Sequence, residues 1–517
     1  MRRAGWFSGD GHQHITPGAA IGPGDARALA AWCAGQRLQW MAVCQPWLAE
    51  RHWSSTDEIP EFRAQEYADT HVWPGGEFPK TRFGHTWWVG LPQMTAPLSR
   101  YIDHAMEAYY VAAGDASVPG YSGAGMLATW SAYCAQGAVP VHAHPSSWWT
   151  AHSAERFVTN MAAMLPLYAL AGIGPVALVV MGYDADQVFY QDAWFRILNH
   201  GYRVTAMAES DGTIGTSRSQ FVPGALRTYV WLGPGGRPDA HAVAAGVALG
   251  RTMVSSGPFI ELQLAGAGGY GGPGAVLPAD GSRRELRLAV MASPGAGDGL
   301  SHVIVYRNGE VFELFDLRAA QPRHWRRSLV LTERGDAWYV VKAYGAGSPC
   351  NADVIDVQRF AEQCLATGAT PYTGDGQVAL TSPLYFRRNV AQPDPAPLKS
   401  TVRLSVQGAA PEVIDVYDKD AARVTRHTAP ADASEIDVPL AGQAVARFAD
   451  GRTIDYVPER DNAALNELLA RTYLGTWRRD HPQAQPGQMP ADMMDIARYR
   501  ECAERTEWCT RESGDTG

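Results

Sequence analysis

Short apolar runs of strand length constrain this chain more than any other feature. From residue 1 to about 225 they alternate with stretches of helical periodicity. LeuGlnTrpMetAlaVal (38–43), ValProValHisAla (139–143), ValAlaLeuValValMet (176–181) and ArgValThrAlaMetAla (203–208) read as strands, and 25–35, 123–137, 154–171 and 187–200 as helices. That alternation predicts a parallel α/β arrangement, most simply a barrel. From about 225 to 395 the pattern changes to strands separated by Gly-rich turns. PheIleGluLeuGlnLeu (259–264), GluLeuArgLeuAlaVal (285–290), HisValIleValTyr (302–306) and AlaTrpTyrValValLys (337–342) predict a β-sandwich. ProAspProAlaPro (393–397) reads as a linker, and a small β module follows over 396–457. The remainder, 458–517, reads as a helical tail interrupted by the Pro-rich segment 482–490.

The 517 residues carry a net charge of −9 with no Lys/Arg run, which argues against a nucleic-acid partner. Phe157 to Tyr183 contains no charged residue, but Pro166, Gly172, Gly174 and Pro175 break it before a membrane span accumulates. Two arginines open the chain without an apolar segment behind them, so no secretory signal is legible. The seven cysteines form no CxxC pair. Cys350/Cys364 and Cys502/Cys509 are spaced for small disulfide loops or for thiols in a reducing compartment, and the compartment stays open.

Histidine and tryptophan concentrate near the N-terminus. His12, His14, His52, His71, His85, His104, His142, His144 and His152 all precede residue 153, as do eleven of the 17 Trp. This enrichment predicts a polar, metal-capable site with aromatic walls. In GlyAspGlyHisGlnHis (9–14), His12 and His14 are two apart, so an extended strand points both to one side, toward a single metal. GlyGlyGluPhe (75–78) offers Glu77, whose two oxygens could bridge two ions, and GlyHisThrTrpTrpValGly (84–90) offers His85. ValProValHisAlaHisPro (139–145) adds His144, with His142 as a core or supporting residue. AlaGluSerAspGlyThr (208–213) places Asp211 just past a strand. Trp47, Trp53, Trp87, Trp88, Trp148 and Trp149 adjoin these segments and serve equally as a pocket lining or as barrel packing.

Taken in order, GlyAspGlyHisGlnHis, GluPhe…GlyHis, HisAlaHisPro and SerAspGly resemble the motifs of the polymerase and histidinol phosphatase (PHP) superfamily. More narrowly they resemble its CehA/McbA branch of metallohydrolases. GlyArgThrMetValSerSerGlyPro (250–258) and AlaLeuThrSerProLeuTyrPhe (379–386) are similar to two further patterns of that branch, so the likeness covers about residues 5–390. The resemblance implies an α/β fold with a distorted (β/α)7 barrel, metals at the C-terminal strand ends, and hydrolysis of amide, carbamate or ester bonds. Two divalent ions (zinc, manganese or iron) would be held by His12, His14, Glu77, His85, His144 and Asp211. Glu77 would bridge them, Glu77 and Asp211 would be the catalytic carboxylates, and a metal-bound hydroxide would be the nucleophile.

Many superfamily members carry Thr-Asp-His after the second strand, where this chain reads ValCysGlnProTrp (43–47). Many also carry a His two residues past the late Asp, where Thr213 stands here. Both departures weaken the case for a third metal and for phosphatase activity. The sequence also lacks an Arg/Lys cluster beside the candidate ligands, so a neutral small-molecule substrate, with an aromatic portion, is expected over a phosphate. Two alternatives stand beside this reading: a metal-dependent phosphoesterase, and a non-catalytic protein that binds through its β modules.

Overall fold

The computed structural model describes residues 4–14, 23–44, 65–67, 69–76, 80–81, 84–91, 133–143, 175–182, 186–199, 201–213, 222–266, 269–293, 299–348, 376–390, 401–417, 424–428, 435–439, 443–456, 501 and 505–509. Its N-terminal strands are β1 (Trp6–His14), β2 (Trp40–Val43), β3 (Gln65–Tyr67), β4 (Thr70–Pro74), β5 (Lys80–Thr81) and β6 (Gly84–Val89). They continue as β7 (Val139–Ala143), β8 (Val176–Gly182), β9 (Val204–Glu209), β10 (Gly212–Thr213), β11 (Arg227–Trp231) and β12 (Thr252–Ser255). Helices α1 (Pro23–Gly35), α2 (Val188–Asn199) and α3 (Ala240–Ala248) accompany them among the described residues.

These strands do not form a (β/α)7 barrel. Among the described residues 52% are strand and 11% helix, too little helix for a crossover between every pair of neighbours, and the sheet curls into a half-barrel. β1, β2 and β4 run parallel, as do β7, β8 and β9, but β1–β11 and β6–β7 are antiparallel. The two groups belong to different sheets, ordered β11-β1-β2-β4-β3 and β5-β6-β7-β8-β9. Hydroxyls stand in for a closing ladder along the outer edge of β9. The Ala206 amide donates to Ser382 Oγ, the Ala208 amide to Thr228 Oγ1, and Thr252 Oγ1 donates to the Ala206 carbonyl. Thr252 and Ser382 come from the two later motifs at 250–258 and 379–386, which gives those segments a physical task. They satisfy an edge that would otherwise be buried without partners.

The chain continues as β13 (Phe259–Leu264), β14 (Val276–Pro278), β15 (Arg284–Met291), β16 (Leu300–Arg307), β17 (Glu310–Asp316), β18 (His324–Leu331), β19 (Ala337–Gly345), β20 (Val378–Thr381) and β21 (Leu384–Arg387). β13, β15 and β18 form one antiparallel sheet. It packs on β16, β19 and their neighbours through Leu262, Leu286, Leu288, Val290, Val303, Val305 and Val341. β12 pairs with both β11 and β20, so the sandwich shares a continuous sheet with β1. The two halves also meet through polar side chains. Trp338 Nε1 donates to Asn199 Oδ1 at the end of α2, and Lys342 Nζ donates to Asp186 Oδ1 just before it.

Further on, the strands Val413–Tyr417, Val424–Thr428, Gln443–Arg447 and Thr453–Tyr456 form a four-stranded antiparallel sheet. In the tail, Glu501 is helical as expected, but Arg505–Cys509 is a strand and not a helix, pairing parallel with Thr401–Gln407. Thr506 and Trp508 are residue types that favour strands. The linkers expected at 393–397 and 482–490, the helix expected at 154–171, and Cys350, Cys364 and Cys502 lie outside the described residues. Among the described residues no helix is long and apolar enough to cross a membrane, and Val176–Gly182, from the uncharged stretch, is a buried strand.

Candidate metal centre

Two glycines let the first motif sit where it does. A Cβ on Gly9 would stand 2.0 Å from the Trp40 ring, and one on Gly11 would stand 2.2 Å from the Trp87 ring. The bare backbone therefore lets two tryptophans pack against β1 while Asp10, His12, Gln13 and His14 are buried around it.

β1 changes partner along its length. Residues 6–9 pair with β11, whereas Gln13 and His14 pair with Gly212 and Thr213 of β10. Asp10 occupies the point of exchange. Its carboxylate accepts from Ser210 Oγ at 2.6 Å and from the Gly224 amide at 2.9 Å, so it holds together the two segments that flank the split. Burial pushes its carboxyl up to about 6, against the opposing pull of these hydrogen bonds.

The chain leaving β9 turns at Ser210–Asp211 to reach β10. Asp211 takes a φ of 47°, a left-handed conformation that Asp tolerates better than most side chains. The turn brings its carboxylate to the two histidines. Asp211 Oδ1 lies 3.0 Å from His14 Nε2 and 3.4 Å from His12 Nε2, and the two Nε2 atoms are 3.2 Å apart. The three atoms form the triangle expected of ligands on one face of an ion. Its circumradius is about 1.9 Å, so a point some ~1 Å above its plane lies about 2.1 Å from all three, the usual ligand distance for zinc. His12 is wholly buried, His14 nearly so, and Asp211 is partly exposed, which leaves the triangle approachable from the side of the carboxylate.

Below the triangle lies a carboxylate that sequence reasoning passed over. His12 Nδ1–H donates to Glu209 Oε2 at 2.6 Å, and Trp87 Nε1–H donates to the same oxygen at 2.7 Å. A signal for it lies in AlaGluSerAspGly: a Glu at a strand end, two residues before a candidate ligand, stands close to that ligand. Asp10 was missed similarly, two residues before His12.

Of the six expected ligands, His12, His14 and Asp211 come together. Glu77 and His144 lie outside the described residues, as does the side chain of His85. The His85 backbone lies in β6 opposite Ala143, the residue before His144. His142 is wholly buried on β7 in register with Thr86 and is not in the cluster. Of the two readings open for Trp87 and Trp88, packing is the one the structure bears out. Both are fully buried, Trp87 spent on Glu209 and Trp88 against Tyr133 in the core. Just past the second strand, Cys44 Sγ donates to the Gly11 carbonyl and the Cys44 amide to the Gln13 carbonyl, so this position supports β1.

No family model, curated protein or solved structure matches this chain. What the centre can do rests on its own residues: two imidazole nitrogens and a carboxylate oxygen converging at ligand distance, one imidazole tied to a second carboxylate. That donor set suits zinc, iron or manganese over calcium or magnesium, which prefer oxygen throughout.

Proposed function

We propose that this protein is a metal-dependent hydrolase of amide, carbamate or ester bonds, its centre similar to that of the CehA/McbA branch of the PHP superfamily. The observation that carries the reading is the triangle of His12, His14 and Asp211 at the C-terminal ends of β1 and β9. Three protein donors on one face leave the remaining positions for water and substrate, as catalytic sites do and closed structural sites do not. A divalent ion there would supply a Lewis acid and draw the pKa of water toward about 7. His12 and His14 hold their nitrogens in place from a rigid strand, while the Asp211 carboxylate supplies charge and sits at the open rim. His85 and His144, with Glu77 as bridge, are proposed as ligands of a second ion.

The test combines elemental analysis of the purified protein with a panel of aryl esters, carbamates, amides and phosphates. Stoichiometric zinc, iron or manganese with turnover of the carbonyl substrates is expected. Turnover of aryl phosphates alone would make the protein a phosphoesterase. A protein without stoichiometric metal or turnover would be a binding protein that works through its β modules.

A further inference from the structure

The geometry points to Glu209 as the residue that aims His12 at the ion, with Trp87 as the group that keeps Glu209 in place. This rests on the metal reading above and names a role beyond its ligands. An imidazole has two nitrogens, and only one can present a lone pair to a metal while the other carries its proton. A carboxylate can only accept, so the 2.6 Å contact puts the proton of His12 on Nδ1 and leaves Nε2 to face His14 and Asp211. Without that acceptor the ring is free to take the other tautomer or to rotate away from the triangle.

Glu209 is itself held. It is nearly wholly buried, and the oxygen that receives His12 also receives Trp87 Nε1–H at 2.7 Å. Its Cγ lies against Gly182 at the end of β8, where a Cβ would stand 3.2 Å away. Trp87 is in turn pressed against Gly11 of β1. Glycine at 11, tryptophan at 87, glutamate at 209 and histidine at 12 thus form a closed loop of contacts across both sheets. The end of β9 supplies Asp211 as a ligand and, two residues earlier, the group that orients a ligand from β1. Glu209 is a positioning residue, acting through His12.

The test is titration of the metal-free full chain with Co²⁺, read by its visible absorption, for wild type, Glu209→Met, Glu209→Gln and Trp87→Phe. Methionine keeps the volume and removes the acceptor, whereas glutamine keeps an acceptor oxygen. Thermal midpoints without metal report folding separately. Expected is a loss of about 10- to 100-fold in affinity with an altered spectrum for Glu209→Met, as for other groups that support metal-bound histidines. A smaller loss is expected for Glu209→Gln and for Trp87→Phe. In the Glu209→Met background Trp87→Phe should change affinity no further, because its path to the ion is already cut. Wild type that takes up no Co²⁺ would overturn the metal reading and this role with it. Wild type that binds, beside a folded Glu209→Met protein of unchanged affinity and spectrum, would overturn the role of Glu209 alone, as would equal losses in the Met and Gln variants.

Discussion

The ring of Trp87 fills the space in front of Gly11, with Cη2 and Cζ3 each 2.2 Å from where a Cβ would be. The Gly11→Ala protein must therefore move a wholly buried indole or bend β1. Overpacking of this kind costs about 1–3 kcal/mol, and it pulls Nε1 away from Glu209. Urea unfolding should show the loss, with weaker metal uptake beside it. Gly35, at the end of α1, has nothing within 4 Å of a Cβ. Gly35→Ala should raise stability by about 0.5–1 kcal/mol. A Gly11→Ala protein as stable as wild type would show that Trp87 is not held where the structure puts it.

Lys342 on β19 and Asp186 before α2 form a buried ion pair at 2.5 Å, completed by Gln191 Oε1, which accepts from the same ammonium, and by Tyr344, whose hydroxyl donates to Asp186. Removing one charge leaves the other buried without its counter-ion, which typically costs about 3–5 kcal/mol. Lys342→Met should unfold at markedly lower denaturant. The double variant Lys342→Met/Asp186→Asn should recover part of the loss, because neither charge then remains. Additive losses in the double variant would mean that the two groups do not act as a pair.

The strands were legible and their arrangement was not, for one physical reason. An apolar run such as Val176–Met181 declares itself locally, but whether its neighbour is parallel or antiparallel depends on residues far away in sequence. Nothing in 84–89 or 139–143 announces that β6 and β7 run in opposite directions. Nor does anything announce that hydroxyls at 228, 252 and 382 take the place of a closing ladder. The triangle was legible because His12 and His14 obey the two-residue period of a strand and Asp211 follows a strand end. Glu209 and Asp10 share that spacing, each two residues before a ligand, but spacing alone does not tell what they touch; the sheets bring them against His12, Trp87, Ser210 and Gly224. For Trp87 the sequence leaves two readings open, because an indole beside a candidate ligand looks the same whether it faces a pocket or a buried carboxylate.

Acid should weaken the sandwich through Glu333. The Arg307 guanidinium, bonded to both of its oxygens, holds this carboxyl below the ordinary glutamate value of 4.5 despite partial burial, and the Tyr339 hydroxyl adds a further donor. A depressed folded-state pKa means that the unfolded chain binds the proton more readily. The contribution is therefore present above pH 4.5 and is lost as pH falls through the folded value. Arg307→Met removes the cause. Unfolding midpoints of the two proteins, measured from pH 7 to 3, should lie apart at neutral pH and converge in acid. A gap that stayed constant through this range would exclude the pair as a source of pH dependence.

Asp211 combines two demands, a left-handed backbone with φ 47° and a carboxylate at 3.0 Å from His14, and substitutions can separate them. Asparagine tolerates this conformation but carries no charge, whereas alanine loses the ligand and adds roughly 1–2 kcal/mol of backbone strain. Without metal, Asp211→Asn should melt close to wild type and Asp211→Ala below both, with Asp211→Gly recovering the difference. Addition of zinc stabilises only a protein that binds it in the folded state, by about 2.7 kcal/mol at a hundredfold excess over Kd. Wild type should show that rise in thermal midpoint and all three variants should lack it. If Asp211→Asn rose with zinc as wild type does, the carboxylate would not be a ligand. If Asp211→Ala matched Asp211→Asn without metal, the turn would not be strained at this residue.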